Sequence, residues 1–183
     1  YGYAYINALA QALRPALPPP AERILLVGHD AFPSGAQRLL LSIGRTMVRR
    51  FGTQVEFLLL GGGELLEAYQ ALAPTTIVPP DERLGIATRE QALRLRQAGF
   101  SKAILNTAST ARLAQVLEAE GFHTTSLIHE LSTTLVEYSL TTYYENARDY
   151  GNAIVFASEY VRNEVEDMMG PAQGQTLVRA QGI

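Results

Sequence analysis

The sequence predicts an α/β fold, an open parallel sheet with helices on both faces. Three observations carry that expectation. Short apolar blocks alternate along the chain with longer amphipathic runs, the pattern of repeated strand–helix–strand units. The blocks at 24–27 (Ile-Leu-Leu-Val) and 153–157 (Ala-Ile-Val-Phe-Ala) are continuously apolar, as strands are when both sheet faces are covered. Successive units of this kind cross over right-handedly and lay their strands in parallel.

The elements follow in order. Residues 1–22 read as a lead-in: Ile6, Leu9 and Leu13 fall on one helical face, and Pro15 and the run Pro18-Pro19-Pro20 then stop and stiffen the link. Strands are expected at 23–29, 53–60, 75–78, 101–106, 124–129, 152–157 and 176–180. Helices are expected at 35–51, 62–72, 86–98, 109–120, 140–149 and 158–169. Helix 35–51 carries Leu39, Leu40, Ile43 and Met47 on one stripe. Arg45, Arg49 and Arg50 stand near its C-terminus, where positive charge suits the helix dipole. Helix 109–120 carries Leu113, Val116 and Leu117, and Gly121 closes it.

Composition bounds the function. The 183 residues are 47% hydrophobic and 18% charged, enough for one domain with a full core. The net charge is −3, so the chain lacks the basic footprint of a nucleic-acid binder. There is no cysteine, which excludes a disulfide framework, a thiolate nucleophile and a cysteine metal site, and which fits a reducing compartment. No His/Asp/Glu cluster has metal-ligand spacing, so no metal is expected. No apolar run has bilayer-spanning length, and no signal-peptide pattern opens the chain. The chain does not begin with Met, and it reads as a piece of something longer or a processed form.

Ligands in such sheets bind beyond the carboxyl ends of the strands, near the switch in strand order. Three candidates stand at that edge. The first is the turn 29–36, where Ser34 is expected to cap the following helix and Gly35 keeps the backbone approachable. It lacks the G-x-G-x-x-G spacing of a dinucleotide site and the Gly-Lys-Ser/Thr of a P-loop. A tight packing turn and a backbone contact to an anion or sugar both remain open. Gly61-Gly62-Gly63 follows the second strand at the same edge, as a flexible rim or a plain connection. The second candidate is His129-Glu130. An imidazole at a strand end can bond a sugar hydroxyl or stabilise developing charge; the alternative is a histidine bonded only to a neighbouring loop. Glu130 can pair with His129, contact substrate or sit solvated. The third is Ser158-Glu159, where the helix dipole explains the acid structurally. His29 carries a weaker case, and His123 belongs at the opposite end of its strand. Arg38 lies in the first turn of its helix, where positive charge is unfavourable without an anion nearby, a hint of phosphate contact. Tyr138, Tyr143, Tyr144 and Tyr150 surround one helix, either stacking on sugars or packing half-buried.

The run Ile24-Leu-Leu-Val-Gly-His-Asp-Ala-Phe-Pro-Ser-Gly-Ala-Gln-Arg-Leu-Leu-Leu-Ser-Ile43 resembles the opening strand, glycine loop and first helix of GT-B-fold glycosyltransferases of the large retaining family 4. Ser34-Gly35-Ala36 stands where members carry a Gly-Gly-Ala type loop. Leu127-Ile-His-Glu-Leu131 resembles the strand-end histidine segment of that family, and Ile154-Val-Phe-Ala-Ser-Glu-Tyr-Val-Arg162 its late strand and following helix. Thr176-Leu-Val-Arg-Ala-Gln-Gly-Ile183 resembles the stretch leading toward the second domain. The resemblance implies a Rossmann-like acceptor-side domain over residues 23–183, one half of a GT-B fold, ending before a C-terminal donor-binding domain. The full-length parent would then transfer a sugar from a nucleotide-sugar donor to an acceptor hydroxyl, in polysaccharide or glycoconjugate synthesis. Gly35 and Ala36 would approach donor phosphate or acceptor, and His129 would contact the transferred sugar near the reaction centre.

The partners implied are a sugar or glycoconjugate acceptor and the donor-binding domain of the same chain. No cofactor is expected; the nucleotide diphosphate sugar is a substrate held mainly by the other domain, so the isolated fragment should not turn over. The implied location is cytoplasmic, extending to the inner membrane face if the acceptor is lipid-linked. Two other readings compete: a non-catalytic Rossmann-like module that binds sugar or protein, and one half of a nucleotide-sugar epimerase.

Overall fold

The computed structural model describes residues 21–78, 81 and 84–180. The expected lead-in helix and proline run therefore lie outside the described residues. In chain order the elements are β1 (Arg23–Gly28), α1 (Gly35–Phe51), β2 (Gln54–Leu59), α2 (Leu66–Leu72), β3 (Thr75–Ile77), α3 (Leu84–Gln97), β4 (Lys102–Asn106), α4 (Ala108–Ala111), α5 (Ala114–Ala119), β5 (His123–Ile128), α6 (Ser132–Glu137), α7 (Thr141–Tyr150), β6 (Ala153–Phe156), α8 (Glu159–Met169) and β7 (Gln175–Val178).

The seven strands form one sheet in the order β3-β2-β1-β4-β5-β6-β7. Every pairing is parallel. The order reverses between β1 and β4, which is where a ligand crevice forms in such sheets. Register brings the relevant strand ends level. Val27 of β1 lies opposite Leu105 of β4, and Asn106 of β4 opposite Leu127 of β5. The residues just beyond these strands, His29, Thr107 and His129, consequently emerge at one edge.

Alternation along β1 explains why both faces are covered. Ile24 and Leu26 join Leu40, Leu41, Phe57 and Tyr69 in the core beneath α1 and α2. Leu25 and Val27 join Leu95, Leu105, Leu113 and Leu117 beneath α3 and α5. A third cluster, around Ile128, Tyr144, Ile154 and Phe156, seats α7 and α8 on β5 and β6. Each fully buried leucine or phenylalanine stabilises the fold by about 1.5–3 kcal/mol.

Three helices differ from expectation. The one expected from residue 62 begins only at Leu66, because Gly62 and Gly63 are occupied by contacts to the first loop. The helix expected at 109–120 breaks at Arg112 and Leu113 into α4 and α5. The break sends Leu113 into the core of α3 and α5, while Ala108 and Ala111 pack in the β5–β6 cluster. Helix α6 was not expected. It has six residues, two of them threonines and one a valine, and a single buried side chain, Leu135, so it shows no apolar period. No helix among the described residues is long and apolar enough to cross a membrane.

Candidate functional site

The first loop builds one wall. Asp30 Oδ1 accepts from Phe32 N–H at 2.9 Å, the side-chain turn typical of aspartate, and also from the Gln37 amide. His29 Nε2 lies 3.2 Å from Asp30 Oδ2 and 3.0 Å from Gln37 Nε2. Its Nδ1 stands 3.5 Å from Thr107 Oγ1. Gln37 is a buried hub: the Tyr69 hydroxyl donates to its carbonyl at 2.6 Å. Burial, followed by the Asp30 charge, raises the Tyr69 phenol far above its usual range, so it stays a donor.

Ser34 holds the N-cap position of α1 with extended backbone but makes no capping bond. Its hydroxyl donates to Gln37 Oε1 instead. The expected serine cap is thus corrected: the side chain bonds across the turn and leaves the first N–H groups of α1 without a side-chain acceptor from the cap. Gly35 faces open space, since a Cβ placed there would meet nothing within 4 Å. Gly63 is the opposite case. Its φ is +152° and a Cβ would fall 2.4 Å from the Ala31 carbonyl carbon. Ala31 N–H donates to Gly62 O at 3.1 Å and Leu65 N–H donates to Ala31 O at 2.8 Å. The glycine run is a fixed connection that clasps the first loop.

The second wall comes from β4 and β5. Asn106, the last residue of β4, is buried. Its Nδ2 donates to the Ala36 carbonyl at 2.8 Å, and its Oδ1 lies 3.0 Å from His129 Nε2. A carbonyl can only accept, so the amide orientation is set and His129 Nε2 carries the proton. Glu130 bonds to the backbone on both sides. Its Oε2 accepts from His129 N–H at 3.0 Å and its Oε1 from Ala108 N–H at 3.1 Å. Both oxygens anchor backbone, at the start of α4. Between these anchors Thr107 holds φ +85° and ψ 157°, a region suited to glycine, although it is β-branched and buried. That strain is of order 1–3 kcal/mol and marks a position the surroundings over-determine.

The structure therefore brings together His29, Gly35, Ala36, His129 and Glu130. It does not bring Arg38 to them: Arg38 is exposed and lines a separate pocket with Leu41, Ser42, Arg45, Leu65 and Ala68 between α1 and α2. At the third candidate, Ser158 caps α8 by accepting from Val161 N–H at 3.2 Å, and Glu159 pairs with Arg162 at 2.6 Å. His123 opens β5 at the far edge. The tyrosines divide evenly: Tyr144 is fully buried and Tyr143 lies under the Arg112 guanidinium at 5.0 Å, while Tyr138 and Tyr150 are exposed. Among the described residues no group of three or more His, Asp or Glu is placed to hold a metal ion.

Sequence reasoning missed Asn106, Thr107 and Gln37. Asn106 carried a usable signal, a polar residue closing an apolar strand at the ligand edge. Thr107 carried none, because its strain is set by the chain around it.

No protein-family model matches the sequence, and no curated protein matches it. Solved structures do. Anabaena HepE in complex with UDP aligns with a TM-score of 0.71 at 16% identity, over 88% of this chain and 44% of that one. HepE in complex with UDP-glucose aligns with a TM-score of 0.71 at 15% identity. Phytolacca americana UGT2, complexed with UDP-2fluoro-glucose and pterostilbene, aligns with a TM-score of 0.59 at 12% identity, over 87% of this chain and 54% of that one. The seven-stranded Rossmann-like fold thus matches part of each of these structures. The chain spans about half the length of each neighbour.

Proposed function

We propose that this chain is the acceptor-side domain of a glycosyltransferase. Its full-length parent moves a sugar from a nucleotide diphosphate donor to an acceptor hydroxyl, in polysaccharide or glycoconjugate synthesis. The observation that carries this reading is the switch-point cluster: His129, oriented by Asn106, stands beside the uncapped first turn of α1 with Gly35 open above it. Support comes from the shared fold with structures that bind UDP and UDP-glucose.

In this reading the first turn of α1 faces negative charge on donor or acceptor, which the helix dipole favours. Gly35 and Ala36 let that group approach the backbone. His129 contacts the transferred sugar and stabilises charge as the glycosidic bond to the diphosphate breaks. His29, held by Asp30 and Gln37, lines the same edge; Glu130 acts by holding His129 in place. The donor is held mainly by a second domain, and no metal or organic cofactor enters. Membrane-face localisation depends on the acceptor being lipid-linked.

The test is a transfer assay on the full-length parent with UDP-sugars and glycan acceptors. Wild type should transfer sugar, and His129→Ala should lower kcat at least about 100-fold, the scale of one lost charge-stabilising group. Release of isomerised sugar without an acceptor would favour an epimerase. Unchanged transfer by His129→Ala would remove the histidine from the mechanism.

A further inference from the structure

We propose that Asn106 is a positioning residue for His129: it fixes which imidazole nitrogen carries the proton and ties the ring to the first turn of α1. The proposal rests on the reading of His129 as the group that contacts the transferred sugar.

A buried asparagine must satisfy both ends of its amide, and only one orientation does so here. The Ala36 carbonyl claims the NH2 end at 2.8 Å. The oxygen is left for His129, 3.0 Å away, and only a protonated Nε2 can satisfy it. In the neutral ring the proton is therefore on Nε2 and the lone pair on Nδ1. This presets which edge of the ring donates and which accepts.

The same side chain joins two segments distant in sequence. Ala36 lies in the first turn of α1, and His129 follows β5. Asn106 spans them from the end of β4, the strand between β1 and β5 in the sheet. Glu130 repeats the arrangement on the backbone, holding His129 N–H and Ala108 N–H with its two oxygens. Thr107, strained at φ +85°, keeps the chain turning directly after Asn106. His129 and the start of α1 consequently behave as one body, and a ligand seated on the helix start meets an imidazole of set tautomer.

The experiment is a long-range proton–nitrogen correlation spectrum of the 183-residue chain labelled with 15N-histidine, with His129 assigned by His129→Gln. Wild type should show the Nε2-protonated pattern. Asn106→Ala should mix the tautomers. Asn106→Asp should keep Nε2 protonated and raise the His129 pKa by about one unit or more, because a carboxylate then faces the ring. Should Asn106→Ala fail to fold, Asn106→Asp alone decides. An unchanged tautomer in Asn106→Ala, or an unchanged His129 pKa in Asn106→Asp, overturns the proposal.

In the full-length parent, Asn106→Ala should lower kcat about 10–100-fold, the scale for losing a partner that orients a functional histidine, with KM little changed and the acid limb of the pH profile displaced. Failure of the two readings is separable. Activity insensitive to His129→Ala sinks the transferase role of the histidine and leaves the spectra intact. Loss in His129→Ala with unchanged spectra in the Asn106 variants sinks only the positioning role.

Discussion

Two glycines at the same sheet edge should respond oppositely to one added methyl group. Gly63→Ala places a Cβ 2.4 Å from the Ala31 carbonyl carbon and 2.5 Å from both Ala31 O and Phe32 N, at φ +152°. The obstacle is backbone, so no side chain can swing away. Overpacking costs about 1–3 kcal/mol and the forced backbone region about 1–3 kcal/mol more. Together they amount to about 2–6 kcal/mol, a fall in Tm on the order of 4–24 °C for a domain of this size. Gly35→Ala has no clash within 4 Å. It restricts the unfolded chain and should stabilise by about 0.4–1 kcal/mol. In the parent, however, its methyl occupies the space through which a ligand would reach the backbone, and KM for donor or acceptor should rise about tenfold, equivalent to about 1.4 kcal/mol. Calorimetry on both variants and steady-state kinetics on Gly35→Ala are the assays. A Gly63→Ala midpoint equal to wild type, or a Gly35→Ala variant that melts early, would refute the steric reasoning.

Other residues give further tests. Glu130→Ala strands the N–H groups of Ala108 and His129, and should destabilise by about 1–3 kcal/mol in urea titration; Glu130→Gln keeps only one acceptor and should fall between. Burial first, and then the Glu166 charge, push the Tyr144 phenol up to about 12 against a partial opposing effect of Arg148. A folded pKa raised above the unfolded value means stability present below pH 10 and lost as pH rises from 10 toward 12, by up to about 1.4 kcal/mol per pH unit. Urea midpoints at pH 8 to 11 should show this slope, and Tyr144→Phe should shed part of it. Arg112→Lys keeps the charge but loses the planar stack 5.0 Å over Tyr143 and the 3.2 Å bond to its hydroxyl. Its cost should be about 0.5–1 kcal/mol, read from the same titration.

The strands were legible because covering both faces of a parallel sheet demands blocks such as Ile24-Leu25-Leu26-Val27, and little else in a chain of this composition does. The first helix was legible from its apolar stripe and basic C-terminus. Helix α6 was not, since six residues rich in threonine carry no period, and docking of Leu135 together with the Ser132–Glu164 hydrogen bond holds them. The candidate site was half legible. His29, Gly35 and His129 announce themselves as strand-end or loop residues. Their partners do not, because Asn106 meeting Ala36, or His29 meeting Thr107, depends on the β1–β4 register rather than on any local pattern. Of the roles open to Glu130 in the sequence, pairing with His129, contact to substrate or a solvated carboxylate, the structure shows a bond to His129 made through its backbone N–H. Arg38 shows the limit of the dipole argument: a cation in a first turn can simply point to another face.

A crystal structure of the full-length parent with a nucleotide sugar and an acceptor bound tests the central claim most directly. The transferred sugar should lie within hydrogen-bond reach of His129, negative charge of the ligands near the first turn of α1, and Asn106 should still bridge His129 and Ala36. A nucleotide sugar bound with neither His129 nor the start of α1 touching any ligand atom would contradict it.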